Sequence, residues 1–434
     1  MMPQSNVFVA APLKEEREAE LRNLLASMNL VPGQVDPNNS LFPFAHFDRL
    51  HFARFLILQD GTVDDIRDAY GLPRQNYPLT LAFIADVDGD ADDFRKDLAT
   101  RACGGLRRIF ACCESFTPDS DLERWLKDHE QPPAASYVNW VGRSVQQIHE
   151  DDSLRIALET YLQNNEALFV SKSPQEIHKL LRDFARVENL AGRLKLTDDE
   201  PMPILWWFRK VIHFFAVPLV LLALSPLLLL YLPIFIYQLR SREKRDPEIA
   251  PRPNASHEAE LAQLEDIYVT NQFSAMGSIK PGLFRRWTLI FLLWLVNYAA
   301  RHFFVRGHLA RVPTIHFARW VFLNDKRRMI FASNYDGSLD SYMDDFINKV
   351  GWGLNLAFSN GIGYPATNWL VLDGSKDEQK FKYFLRRHQM PTQVWYDAHT
   401  GLCAFDLKRN MLIRRGIDCS FMSYADLQEW IALF

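Results

Sequence analysis

HFARFLILQD at 51–60 and HFARWVFLND at 316–325 are one pattern written twice in a single chain. Each is followed by a second apolar run that closes on Asp-Gly: LAFIADVDG at 81–89 and MIFASNYDG at 329–337. From there the register holds without a gap, setting Phe83 against Phe331, Asp88 against Asp336, Phe94 against Tyr342 and Phe110 against Phe358. It is regained farther on, with His129 against His388, Tyr137 against Tyr396, Gly142 against Gly401 and Arg155 against Arg414. An internal repeat constrains architecture before any single residue is interpreted. The expectation is a tandem duplication.

Working outward from the repeat, NVFVAA at 6–11 predicts a strand ended by Pro12, and 13–30 predicts a helix with Leu21, Leu24, Leu25 and Met28 on one face. The HFAR strand, a charged insertion at 61–77 and the LTLAFIADV strand follow. Asp90 or Asp92 can cap a helix running to about Cys113, and SYVNWV at 136–141 offers another strand. The order strand, helix, strand, strand, helix, strand is the ferredoxin-like arrangement. The second copy supplies the same series: IYVTNQF at 267–273, a helix from Leu283 to Phe304, MIFASNY, a helix from Asp340 and TQVWYDA. Both copies add C-terminal helices, at 153–163 and 174–187 in the first and in FMSYADLQEWIALF at the end. The expected fold is α+β, two ferredoxin-like βαββαβ units pairing face to face as an α+β barrel. The expected divisions are 1–190, a membrane segment at 203–239, a linker at 240–266 and the second unit at 267–434.

The membrane segment rests on 24 uncharged residues, Phe214 to Tyr237, long enough to cross a bilayer. Trp206, Trp207, Tyr231 and Tyr237 suit interfacial positions, and basic residues stand on both flanks. A single crossing would separate the two copies. Pro218, Pro226 and Pro233 instead predict a broken, hairpin-like segment that enters and leaves the same face and leaves both units on the cytoplasmic side. Trp287 to Ala300 is also apolar, but 14 residues rise only about 21 Å as a helix, short of the roughly 30 Å needed. It is either fully buried or turned toward lipid.

A net charge of −4 gives no basic footprint, which argues against nucleic acid. Five cysteines without framework spacing point to a reducing compartment, and the N-terminus does not read as a secretory signal. Without such a signal, Asn38-Asn39-Ser40 and Asn254-Ala255-Ser256 read as chance matches to the glycosylation pattern.

Candidate ligand-binding residues come from the repeated strands. Arg54 and Arg319 sit among large apolar neighbours, where an unpaired charge is costly to bury. They either clamp an anion over an open sheet face or pair with a carboxylate such as Asp88 or Asp336. His51 and His316 start their strands, and the plainer reading is a bond to a backbone carbonyl. Asp88 and Asp336, each before a glycine, read as caps of the helices that follow. Trp320 belongs to the repeated strand, and His388 and His399 stand near Trp395 and Tyr396. Asn360 to Pro365 is glycine-rich without dinucleotide or P-loop spacing. No zinc-type spacing or nucleophile elbow is present in the sequence, so no metal site is expected.

HFARW, NYDGS, YMDDFI and GLNLAFSNGIGYP, with KPGLFRRWT ahead and PTQVWYDA behind, resemble a group of largely uncharacterised bacterial membrane-associated proteins. At the level of fold, two ferredoxin-like units in one chain are similar to the superfamily that includes dye-decolourising peroxidases and chlorite-dismutase-like haem proteins. That resemblance implies haem with a distal arginine and a proximal histidine, for which His302, His308 and His388 are the choices. The peroxidase Gly-x-x-Asp-Gly motif lacks its leading glycine here. The expected function is binding of a membrane lipid or apolar small molecule at the membrane surface. A haem-dependent oxidoreductase is the alternative. A purely structural role is a third reading, in which substituting Arg54 and Arg319 alters stability alone.

Overall fold

The computed structural model describes residues 4–198, 202–304, 309 and 311–434. Eight strands matter for the site: β1 (Gln4–Pro12), β2 (Leu50–Leu58), β3 (Thr80–Asp88), β4 (Ala135–Val138), β5 (Thr270–Ser278), β6 (Ile315–Leu323), β7 (Arg328–Asp336) and β8 (Thr392–Asp397). They form two antiparallel sheets of four, ordered β1-β3-β2-β8 and β4-β6-β7-β5.

Each sheet holds a strand from the other half of the chain. β8 pairs with β2, setting Tyr396 opposite Ala53, and β4 pairs with β6, setting Tyr137 opposite Ala318. Just before each exchanged strand the backbone touches its own half. Glu130 bridges Val9, and Gln389 bridges Ala275. The registers also match in detail. Asp88 faces Gln4 as Asp336 faces Thr270, and both hairpins carry an irregularity at the histidine, between Leu50 and Phe52 and between Ile315 and Phe317.

Strand alternation divides the core into layers. Phe8, Leu56, Leu58 and Ile84 of the first sheet meet Met276, Val321, Leu323 and Ile330 of the second between the sheets. The opposite faces carry Ala53, Phe55 and Phe83 into one helix-covered core, and Ala318, Trp320 and Phe331 into the other. Fully burying each large apolar side chain contributes roughly 1.5–3 kcal/mol.

The helices used below are α1 (Glu18–Ala26), α2 (Ala91–Arg101), α3 (Cys103–Phe110), α4 (Val145–Asn164), α5 (Pro174–Leu190), α6 (Ile204–Arg245), α7 (Leu283–His302), α8 (Leu339–Phe358), α9 (Glu378–His388), α10 (Ala404–Asp418) and α11 (Tyr424–Ile431). α1, α2 and α3 cover the first sheet; α7, α8 and α9 cover the second. α4, α5, α10 and α11 join the two halves through Leu154, Leu158, Leu181, Ile413 and Trp430.

α6 corrects the expectation of a hairpin. It is one helix of 42 residues that runs through all three prolines and continues to Arg245, into the stretch expected to be linker. The prolines stand seven or eight residues apart, so each removes one backbone bond and leaves the turns between intact. By length and composition this helix can cross a membrane. α7 buries Leu289, Leu292 and Leu293 but leaves Leu283, Trp287 and Phe291 exposed.

Candidate functional site

The repeated histidines and aspartates meet at one end of the space between the sheets. An antiparallel hairpin sets the start of one strand beside the end of the next, so β2 brings His51 to Asp88 and β6 brings His316 to Asp336. His51 Nε2 lies 2.8 Å from Asp88 Oδ1, and His316 Nε2 lies 2.6 Å from Asp336 Oδ1. These pairs correct two expectations at once. Neither histidine turns its Nε2 to a backbone carbonyl, and neither aspartate caps the helix after it, since Asp90 caps α2 and Ser338 caps α8. Gly89 and Gly337, at φ 83° and 84°, turn the chain away between each aspartate and that cap.

The second oxygen of each aspartate takes a helix N-terminus from farther along. Asp88 Oδ2 accepts from the Val145 N–H of α4 at 2.8 Å, and Asp336 Oδ2 accepts from the Ala404 N–H of α10 at 2.7 Å. A carboxylate at the positive end of a helix is favourably placed, and each N–H it takes would otherwise lack a partner. Thr270 Oγ1 adds a bond to Asp336 Oδ1 at 2.9 Å.

The symmetry ends at β8. The positions of Val138 and Trp140 in the first half are taken in the second by Asp397 and His399. His399 Nε2 lies 2.9 Å from His51 Nδ1, and its backbone N–H donates to Asp397 Oδ1 at 2.7 Å. His149 stands beside it, with ring centres 5.6 Å apart. Among the described residues, His399 Nδ1 and Asp397 Oδ2 are buried without a hydrogen-bond partner. Phe52 packs edge to face against His316 and His399, and Phe317 lies tilted against His51, closing the site from the interior. A cavity of about 20 Å³, room for roughly one water, opens beside them toward Gln4 and Trp140.

The electrostatics follow from burial. Burial, together with His51, His149 and His316, holds His399 well below the usual histidine range. Burial pushes the Asp397 carboxyl up to about 7, with the His399 N–H, His316 and His51 only partly opposing it. Burial also works against protonated His316, but the charge of Asp336 and its hydrogen bond outweigh that and raise its pKa.

A carboxylate only accepts, so His51 Nε2 carries the hydrogen that faces Asp88. When His399 Nε2 donates to His51 Nδ1, His399 Nδ1 is a bare lone pair. A proton arriving there can be passed on, as the Nε2 hydrogen shifts to His51 and leaves an imidazolium against Asp88. The arrangement can therefore accept a proton at one point and hold its charge at another.

Arg54 and Arg319 lie one layer deeper and correct the anion-clamp expectation. They are 1% and 0% exposed, so neither faces an open sheet face. Asp88 and Asp336 are not their partners. Arg319 pairs with Asp86 across the sheets, while Arg54 donates to Phe273 O, Ser274 Oγ, Ser333 O and Asn334 Oδ1 and lies over the Trp395 ring. Asn334 Nδ2 donates to Asp86 Oδ2 at 3.2 Å, closing the network. Burial and the neighbouring Arg319 push Arg54 down to about 9. Trp320 lies apart, in the helix-covered core against Phe331. His388 is also apart: its Nδ1 bonds Phe384 O at 2.7 Å, and it lies across the Gly277 backbone.

The residues implied for haem do not fit it. His388 lines a cavity of about 30 Å³ and also a polar cleft of about 640 Å³ beside Asp60, Arg252 and Arg387, but its buried Nε2 edge is packed between Gly277 and Gly363 rather than open to an iron. His302 is bonded to His213 at 2.9 Å, and His308 lies outside the described residues. Asp86, Asp397 and His149 were not legible as site residues. The chain matches no protein-family model and no curated protein.

Proposed function

We propose that the chain is a membrane-surface protein that binds lipid on the outer faces of α6 and α7, carried by two ferredoxin-like units paired as a closed α+β barrel. The strand order supports the barrel: the segment leading into the last strand of each unit touches that unit's first strand, and the strand then joins the other unit's sheet. The matching registers and irregularities support a duplication. An apolar ligand between the sheets is disfavoured, because that space is filled by the shared core and the arginine network. The single observation that carries the reading is the exposure of α6, whose most apolar stretch has no buried residue.

Vesicle flotation with the full chain tests it. The protein is expected to rise with sealed phospholipid vesicles and to resist alkaline extraction. A variant carrying Leu222→Gln, Leu227→Gln, Leu230→Gln and Ile234→Gln should stay with the soluble fraction. A parent chain that remains at the bottom of the gradient, correctly folded, would refute the reading.

One observation, the buried His399 Nδ1 without a hydrogen-bond partner, favours a second reading in which the histidine cluster transfers protons to or from a water-sized molecule. Nitrogen chemical shifts should then place the His399 hydrogen on Nε2 at neutral pH and should change in Asp88→Asn. An Nδ1-protonated ring unaffected by that variant would exclude it.

A further inference from the structure

We infer that α6 lies in the plane of a single leaflet rather than crossing the bilayer, with its basic flanks on anionic headgroups. The inference rests on the membrane-surface reading and adds the orientation of the helix and the class of lipid.

The contacts of α6 fix its course. Near its start, His213 Nδ1 meets His302 Nε2 at 2.9 Å, and Phe214 O accepts from Tyr298 Oη at 2.8 Å. Near its end, Phe235 packs on Phe284 with ring centres 5.4 Å apart, and Leu239 joins Leu292 and Leu370. α6 therefore runs antiparallel along the whole of α7. α7 is in turn seated on the second sheet through Leu289 and Leu293, in the same core as Phe331 and Trp320.

Both ends of α6 are tied to that body. Glu243 accepts the N–H groups of Trp369 and Leu370 at 3.1 and 2.8 Å, and Asp246 pairs with Lys280 and Arg285 at 3.1 and 2.5 Å. On the other side, Glu150 holds the Thr197 N–H and hydroxyl, both at 2.7 Å. Ile204 is seven residues beyond Thr197, at most about 25 Å of chain. A helix of 42 residues is about 63 Å long, twice the hydrocarbon core of roughly 30 Å. Standing it upright would carry α7, and the sheet beneath α7, into hydrocarbon. Lying flat, it presents its apolar surface to one leaflet together with Leu283, Trp287 and Phe291, spaced four apart on α7.

Lipid, rather than a second copy, is the occupant that the chemistry fits. A protein partner would cover one stripe, whereas α6 is apolar around most of its circumference away from α7. Its charges gather at the ends: Arg209 and Lys210 near one, Arg240, Arg242, Lys244 and Arg245 at the other, against one acid, Glu243. α7 adds Arg286 and Arg301 and no acid, its Arg285 being buried against Asp246, in a chain of net charge −4 overall. A basic patch on an acidic protein, located where the apolar surface is, favours anionic headgroups.

The experiment uses the full chain with Cys103, Cys403 and Cys419 changed to serine and one spin-labelled cysteine at a time from Phe208 to Ile236, in vesicles of phosphatidylcholine and phosphatidylglycerol. Label depth is expected to oscillate with the helical period of about 3.6 residues around a constant mean. A depth that rises to a single maximum mid-helix would overturn the flat orientation while leaving membrane binding intact. Label-to-label broadening that disappears on dilution with unlabelled protein would assign the surface to a second copy and also overturn it. Protein that never floats would instead overturn the membrane reading beneath it. Lipid retained by the purified protein should be richer in phosphatidylglycerol than the bulk vesicle, and the excess should vanish when Arg209, Lys210, Lys244 and Arg245 become glutamine. Retained lipid at the bulk ratio would overturn the headgroup assignment.

Discussion

Arg54 and Arg319 reach across the interior to equivalent positions in opposite halves, where Arg54 finds the amide of Asn334 and Arg319 the carboxylate of Asp86. Two buried cations thus share one buried anion. Removing that anion leaves both uncompensated, so Asp86→Asn is expected to destabilise the fold by about 3–5 kcal/mol in chemical denaturation. Arg54→Met should cost less, because it also relieves repulsion with Arg319. Equal losses would mean that Asp86 is not the shared counter-ion. Asp397 gives a pH signature. Its raised pKa means that the folded state holds this proton more tightly than the unfolded chain does. Its contribution to stability is complete below about pH 4 and is lost as pH rises to about 7. His316, also raised, loses its contribution as pH rises above the ordinary histidine range; His399, held low, loses its own as pH falls. The clean measurement is therefore the difference between Asp397→Asn and the parent, which should move in the variant's favour between pH 4 and 7. A difference independent of pH would show that Asp397 does not titrate in the fold. The histidine–aspartate pairs were within reach of the sequence, since consecutive antiparallel strands bring His51 toward Asp88. The cap reading prevailed because Asp-Gly before a helix usually means a cap. Asp86 was hidden, because its partner Arg319 lies 233 positions away and strand alternation gives a face but not what lies opposite.

Among the elements, α6 shows how a sound local rule can be overridden. A proline removes one backbone bond and crowds the carbonyl four residues before it, but Pro218, Pro226 and Pro233 stand far enough apart that the turns between them stay helical. The α6–α7 pair should be detectable directly. Cysteines at His213 and His302 should cross-link on mild oxidation in the serine background, whereas cysteines at His213 and Phe284 should not. Cross-linking of the second pair alone would reverse the orientation of α6. The strands and most helices were legible from apolar period and turn residues, with β1, β2, β3 and α7 close to their expected bounds. The strand exchange was not, because β4 presents the same alternation whichever edge it joins.

At the scale of the whole molecule, the exchange makes the two halves interdependent. A fragment ending at Leu190 retains β4 but lacks both β6, to which β4 pairs, and β8, which covers the edge of β2. Such a fragment is expected to self-associate or aggregate, as exposed edges do, and size-exclusion chromatography with light scattering reads this. A folded monomer with native-like sheet content would contradict the exchange. The same feature sets a timetable for synthesis. Ala135 cannot meet Trp320 until 185 further residues have been made, a wait of roughly 10–40 s at about 5–20 residues per second. During that interval α6 leaves the ribosome, so the apolar helix has the opportunity to reach a membrane while the first sheet is still incomplete. On the membrane-surface reading proposed above, the nascent chain would reach lipid half-built, and its two sheets would be completed there rather than in bulk water.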